Sequence, residues 1–203
     1  MAYIADGYKG MQIVDVSDPA SPQMVSSYVT ETGAFVATIQ VVGGHYAYLA
    51  DPNSGLFILD VADAADPVLL QQFEEIRATD MQVVDQLAYL IDSDKGGLSI
   101  FDVSDPLDPS LVGSYSHEIE SAWHLWVENS VAYVTTYDSL AAVGVSDPAE
   151  PVLLDNFFFT DSLTDLSVAG DFVYVSAYSG SLVIVNAADP ADLTPVGTYL
   201  TLG

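Results

Sequence analysis

Cysteine is absent from this sequence of 203 residues, and cations are scarce: Lys9, Arg77 and Lys95 stand against 29 carboxylates. Without cysteine there is no disulfide framework, no thiolate nucleophile and no sulfur-ligated metal. The formal net charge of −26 comes chiefly from the missing cations. Phosphate neutralisation needs clustered Lys and Arg, so nucleic acid is close to excluded as a partner. An anionic membrane surface is disfavoured for the same reason. No apolar stretch approaches the roughly 20 residues of a membrane span, so direct membrane insertion is not expected. The first residues, Met1-Ala-Tyr-Ile-Ala-Asp6, have neither a basic region nor a long apolar run, and no signal peptide is read there. So acidic a surface suits high salt or a cation-rich extracellular setting, where repulsion between carboxylates is screened. What the chain has in quantity is Val, Leu and Ile, with 12 Tyr, and such side chains favour strands.

The chain repeats itself, and the repeat decides the fold class. One motif recurs as Asp15-Val-Ser-Asp-Pro-Ala-Ser-Pro22, Asp60-Val-Ala-Asp-Ala-Ala-Asp-Pro67, Asp102-Val-Ser-Asp-Pro-Leu-Asp-Pro109 and Gly144-Val-Ser-Asp-Pro-Ala-Glu-Pro151, with a looser Asn186-Ala-Ala-Asp-Pro-Ala-Asp192. A second motif precedes each copy and begins at Tyr3, Tyr48, Tyr89, Tyr133 and Tyr174, spaced by 45, 41, 44 and 41 residues. That period is the length of a propeller blade. Apolar residues alternate or run in short β-branched blocks, which excludes helical repeats. Each unit reads as four short strands, a to d. In the second unit these are Ala37–Val42, Tyr46–Ala50, Gly55–Val61 and Pro67–Phe73. The Asp-Pro motif is a pre-set turn between c and d, and it accounts for at least 11 of the 22 Asp residues. Glycines between b and c suit hairpin turns at positive φ.

The strings Met11-Gln-Ile-Val-Asp15, Leu56-Phe-Ile-Leu-Asp60 and Leu98-Ser-Ile-Phe-Asp102, each followed by the Asp-Pro motif, resemble the LVIVD repeat. The resemblance covers almost the whole chain. It implies a β-propeller and, since such repeats belong to bacterial and archaeal surface or secreted proteins, an extracellular or cell-surface location. It implies no chemistry. It weakens in the last two units, where Gly144 and Asn186 replace the Asp that ends strand c.

The expected fold is therefore all-β: a single β-propeller repeat array of about five four-stranded antiparallel blades, at residues 1–30, 31–74, 75–116, 117–159 and 160–203. The first blade lacks its inner strand, and nothing after the last outer strand, Pro195–Thr201, is available to supply it. The count fits an incomplete or open arc of a larger propeller. It also fits an arc that self-associates through its open blade edges, or a ring closing on a shortened first blade.

In a propeller the a strands line the channel, and the b–c and d–a loops form one face. Alignment on Ile39, Met81, Leu125 and Leu166 puts Thr38, Asp80, His124 and Asp165 in one ring at the channel mouth. Asp80, His124 and Asp165 are candidate metal ligands or an acid–base set; equally, polar residues suit a wet channel. No cofactor is expected, apart from a divalent cation such as calcium that this ring could take. All three cations fall on b–c or d–a loops, with Arg77 beside the ring. Trp123, in the least repeat-like segment, His117–Trp126, is a candidate stacking surface; Trp126 is expected to fill the blade core in place of Gln40 and Gln82. Asp92-Ser-Asp94 resembles the start of a calcium loop but lacks its remaining ligands, so a tight turn is the expectation.

No catalytic constellation stands out, and the leading expectation is a non-enzymatic extracellular binding module presenting one loop face to a protein or glycan. The alternative is a metal-assisted hydrolase or lyase working through Asp80, His124 and Asp165.

Overall fold

The computed structural model describes residues 1–30, 35–92 and 96–200. Among them there is no helix, and every strand belongs to an antiparallel meander. The first sheet has three strands, β1 (Ala2–Ala5), β2 (Met11–Asp15) and β3 (Gln23–Tyr28); they correspond to b, c and d, so among the described residues this sheet has no inner strand, as the sequence predicts. Four four-stranded sheets follow in a, b, c, d order. The second holds β4 (Thr38–Val42), β5 (Tyr46–Asp51), β6 (Gly55–Asp60) and β7 (Val68–Phe73); the third β8 (Ala78–Val84), β9 (Leu87–Asp92), β10 (Leu98–Asp102) and β11 (Ser110–Tyr115). The fourth holds β12 (His124–Glu128), β13 (Val131–Thr135), β14 (Ser139–Gly144) and β15 (Val152–Phe158); the fifth β16 (Leu163–Ala169), β17 (Phe172–Ala177), β18 (Ser181–Asn186) and β19 (Thr194–Leu200).

Each residue of the Asp-Val-Ser-Asp-Pro motif has a task. The first Asp accepts a bond from the amide two residues on, as Asp15 does from Ser17, Asp60 from Ala62 and Asp102 from Ser104, each at 2.8 Å. The second Asp repeats the device on Ala20, Ala65, Leu107, Ala149 and Ala191. A backbone bond to the second Asp's carbonyl then closes each turn, from Ser21, Asp66, Asp108, Glu150 and Asp192. The side chain supplies the turn's hydrogen bond locally, and Pro fixes φ, so the segment is set by contacts within three residues. These amides, with the Ser17 and Ser104 amides as the largest cause, hold the Asp15 and Asp102 carboxyls below the usual range. The motif's Val is buried in sheets two to four, as Val61, Val103 and Val145, and its amide reaches back to the a–b turn carbonyls of His45, Gln86 and Ser130. In the first sheet, with no a strand, the same residue, Val16, is exposed.

The chain divides into two compact units, Met1–Asp94 with Asp102–Ser110, and Lys95–Phe101 with Leu111–Gly203. In the first unit, Met11 and Ile13 of β2 pack with Ala47, Leu49, Phe57 and Leu59 of the second sheet and with Val36. In the second, Tyr133, Leu140 and Ala142 of the fourth sheet pack with Leu166, Val168, Val173, Val175 and Val185 of the fifth. Strands b and c alternate inward positions that all fill such cores, so their sequences run almost continuously apolar.

Within each unit the outer strand of one blade also meets the Asp-Pro turn of the next. The Ser26 hydroxyl donates to the Ala64 carbonyl at 2.6 Å, and the Leu193 amide donates to Asp155 Oδ2 at 2.7 Å. At the corresponding position in β11, a side-chain carbon on Gly113 would meet the Pro148 carbonyl oxygen. The turns therefore serve twice, as hairpin connections and as joints between blades.

Three of the motif tyrosines, Tyr48, Tyr89 and Tyr133, are buried, and burial raises their hydroxyl pKa above the ordinary value. A group whose folded pKa is raised contributes stability that is complete below its unfolded pKa, about 10 for tyrosine, and that fades as pH climbs through the folded value. Alkaline titration is expected to give a cooperative loss of β circular dichroism above about pH 10, with tyrosinate absorbance rising in the same step. A gradual absorbance rise with the fold intact would overturn this.

Candidate functional site

Bulges shape the inner strands near the ring positions. Register slips between Ala78 and Asp80 in β8, and between Leu163 and Asp165 in β16, so Thr79 and Thr164 are the extra residues. A bulge re-aims the side chain that follows it. Both following carboxylates fold back on their own strand: the Met81 amide donates to Asp80 Oδ1 and the Leu166 amide to Asp165 Oδ1, each at 2.8 Å. The ladders set Thr38 opposite Ala50, Asp80 opposite Ile91, His124 opposite Thr135 and Asp165 opposite Ser176. All four occupy one register position, the last before the first inward apolar residue of the inner strand.

Thr38 and Asp80 belong to the first unit, His124 and Asp165 to the second. In the second, His124 Nδ1 lies 4.0 Å from Asp165 Oδ1, with the side chains 38% and 72% exposed. That distance permits an ion pair when the imidazole is protonated, yet exceeds a hydrogen bond. The Thr164 and Ser176 hydroxyls bond beside them at 2.9 Å. Opposite His124, the Thr135 hydroxyl is buried with no hydrogen-bond partner among the described residues. Among the described residues, no three His, Asp or Glu side chains group closely enough to hold a metal ion.

The two tryptophans take different environments. Trp126 is half-buried against the core of the second unit, its indole Nε1 donating to Glu128 Oε2 at 3.3 Å. Trp123 is 55% exposed, and its amide donates to the Thr135 carbonyl. Gln40, at the inner-strand position of Trp126, is a clamp: its Nε2 donates to the Val83 carbonyl at 2.8 Å and its Oε1 accepts from the Val83 amide at 2.6 Å. Arg77 turns its guanidinium to the Glu74 carbonyl at 3.1 Å, and Lys9 lies 3.7 Å from Asp6. Lys95, and the Ser93 and Asp94 of the calcium-like string, lie outside the described residues.

Sequence reasoning missed a set of loop aromatics. Tyr8 and Phe35 are exposed in the first unit, their rings edge-to-face at 5.1 Å; Tyr137 and Tyr178 are 65% and 84% exposed in the second. Every one lies on a b–c or d–a loop, as Trp123 does. A signal existed: Tyr137 and Tyr178 each stand immediately after the second motif, following Thr136 and Ala177. Near Tyr178, the Ser162 and Ser179 amides donate to Asp161. The Ser179 hydroxyl first, and these amides, hold the Asp161 carboxyl below the usual range although burial opposes them. Asp51 caps its b–c loop by accepting from the Asn53 and Ser54 amides at 2.6 and 2.7 Å.

At the level of sequence, no curated protein matches the chain. Among solved structures, a Lactobacillus plantarum protein superimposes with a TM-score of 0.77 at 12% identity, over 96% of this chain and 64% of that one. The periplasmic gluconolactonase PpgL of Pseudomonas aeruginosa gives 0.76 at 11%, over 93% and 62%. PorZ, a surface component of the type-IX secretion system of Porphyromonas gingivalis, gives 0.64 at 15%, over 97% and 25%. The chain thus spans less than two thirds of the length of these structures. At such identities the likeness concerns fold alone, and that fold is the β-propeller's. The LVIVD repeat matches five times, over residues 1–30, 37–74, 77–117, 120–158 and 162–201, and the chain belongs to the LVIVD-repeat family.

Proposed function

We propose that the chain is a non-enzymatic binding module of the cell surface or extracellular space, presenting its b–c and d–a loops to a protein or a glycan. One observation carries this: Trp123, Tyr137 and Tyr178 are exposed on those loops while Trp126 and the motif tyrosines Tyr48, Tyr89 and Tyr133 are spent on the cores. Large aromatics concentrated on one set of loops are a mark of binding surfaces, whereas single exposed ones are ordinary. The net charge of −26 keeps such a surface soluble, and the periplasmic and surface settings named for PpgL and PorZ accord with an envelope location.

Tryptophan emission tests the proposal. Titration of the chain with a panel of soluble neutral oligosaccharides and of short acidic, neutral and basic peptides is expected to shift emission with at least one class. Trp123→Ala is expected to abolish that shift while leaving the melting temperature within a degree or two, because the side chain is mostly exposed and surface changes cost about 0.5 kcal/mol or less. A panel without any binding would sink the proposal.

A second reading, the metal-assisted hydrolase or lyase, draws on the 4.0 Å approach of His124 to Asp165. It requires turnover of an ester, lactone or glycoside that is lost in both His124→Gln and Asp165→Asn and restored by no amount of added divalent cation. Turnover of that kind would displace the binding module as the function.

A further inference from the structure

The exposed aromatics of the second unit are not scattered. The Trp123 amide donates to the Thr135 carbonyl at 2.9 Å, and Tyr137 stands two residues beyond Thr135. The Tyr137 carbonyl accepts from the Leu163 amide at 2.9 Å, and the neighbouring Ser162 carbonyl accepts from the Tyr178 amide at 2.8 Å. Three rings are thus strung along one run of backbone hydrogen bonds that crosses from the fourth sheet to the fifth. These bonds fix the order of the three residues along the backbone, and this line of exposed aromatics makes a ridge. Carboxylates flank it: Asp138 follows Tyr137, Asp161 binds the Ser179 amide beside Tyr178 at 3.2 Å, and Asp165 is 72% exposed. No lysine or arginine occurs among the described residues of the second unit.

We infer that the ridge of Trp123, Tyr137 and Tyr178 binds a basic segment of polypeptide, whose Lys and Arg side chains stack on the rings and pair with Asp138, Asp161 and Asp165. This deepens the binding reading above and rests on it. Charge decides the partner class. The faces of aromatic rings attract cations, Trp most strongly, and the attraction grows when carboxylates stand at the ring edge. An acidic peptide or an anionic polysaccharide meets like charge over the whole surface, which costs affinity. A neutral glycan could stack on the rings, yet it would leave the carboxylates without a counter-charge. A basic segment uses both features at once, and the field of a strongly acidic protein speeds its approach.

The test is titration of the full chain with an octapeptide alternating Lys or Arg with Gly, its Glu counterpart, and a neutral chito-oligosaccharide, at low and high salt. The basic peptide is expected to bind and the Glu peptide to fail. Affinity should fall about three-fold for each of Trp123→Ala, Tyr137→Ala and Tyr178→Ala, and more than about ten-fold for the triple variant. The control is Asp66→Asn with Asp108→Asn, which removes two exposed charges from c–d turns and should leave ridge binding within about two-fold apart from weakened steering. Tyr178→Ala, at the most exposed ring, keeps the test valid if the triple variant does not fold. Equal losses in ridge and control variants would show diffuse charge attraction and overturn the inference. Ring-dependent binding of the chito-oligosaccharide alone would overturn the partner class and keep the binding module. Failure of every ligand would overturn both.

Discussion

Gly55→Ala is expected to destabilise the chain by about 4 kcal/mol, from backbone strain of about 1–3 and overpacking of about 1–3 kcal/mol. Gly55 begins β6 at φ +100, and a side-chain carbon there would meet the Phe73 carbonyl oxygen and sit 2.7 Å from the Glu74 Cα. Both neighbours are backbone at the end of the outer strand and just past it, so no flexible side chain can yield. Gly10 and Gly97 stand at the same point of the first and third sheets, at φ +75 and +88, against the Tyr28 and Tyr115 carbonyls. The position is therefore a repeated close approach between the entry of strand c and the exit of strand d. Gly43 separates the two causes, since it has φ +60 with nothing within 4 Å of the added carbon. Gly43→Ala should cost only the left-handed penalty of about 1–2 kcal/mol. At roughly 2–4 °C per kcal/mol for a chain of this size, the melting temperatures should fall by roughly 12 and 4 °C. Equal shifts in the two variants would mean that the backbone contact contributes nothing.

What the sequence made legible is what short-range chemistry encodes. The Asp-Pro turns depend on contacts between residues two or three apart, the b–c glycines mark themselves by their positive φ, and the strand limits of the second sheet, set between such turns, agree within one residue of the observed ranges. Thr38, Asp80, His124 and Asp165 share one register position because motif spacing and ladder register have one cause, the two-residue period of a strand. The bulges at Thr79 and Thr164 left no mark, since an extra residue in a strand is read only from its partner strand. Gln40 and Trp126 stand at the same inner-strand position, but the two solve the same problem differently. Trp126 joins neighbouring blades by apolar packing, Gln40 by a two-point bond to a strand 43 residues away. The loop aromatics escaped for another reason: Tyr137 and Tyr178 recur at the same place after the second motif in only two of the five units, and their exposure, which sets them apart from Tyr133, shows only in the structure. A candidate site built from residues far apart in sequence is legible only so far as repetition places them, and His124 with Asp165 is as far as it reached.

Gln40→Leu is expected to cost about 2–4 kcal/mol, although it replaces a polar side chain by an apolar one of similar size at a half-buried site. The clamp satisfies both backbone groups of Val83 on the side of β8 that faces β4. Removing it strands an amide and a carbonyl in the space between two sheets, at about 1–3 kcal/mol for each unpaired buried group. Apolar burial by Leu offsets part of this, which sets the lower figure. Gln40→Glu separates hydrogen bonding from packing. The carboxylate keeps the bond from the Val83 amide but faces the Val83 carbonyl with negative charge, so at neutral pH the variant should be less stable than the parent chain. The protonated carboxyl can donate to that carbonyl, so the fold favours the neutral form and raises the folded pKa above the unfolded value of about 4.3. A raised carboxyl pKa destabilises above that range, and the penalty is lifted as pH falls through the folded value. Urea midpoints for Gln40→Glu relative to the parent should therefore converge between neutral pH and about pH 4, while those for Gln40→Leu keep a constant gap. Parallel gaps for both variants would show that the loss comes from packing, and that the two-point bond does not join the blades.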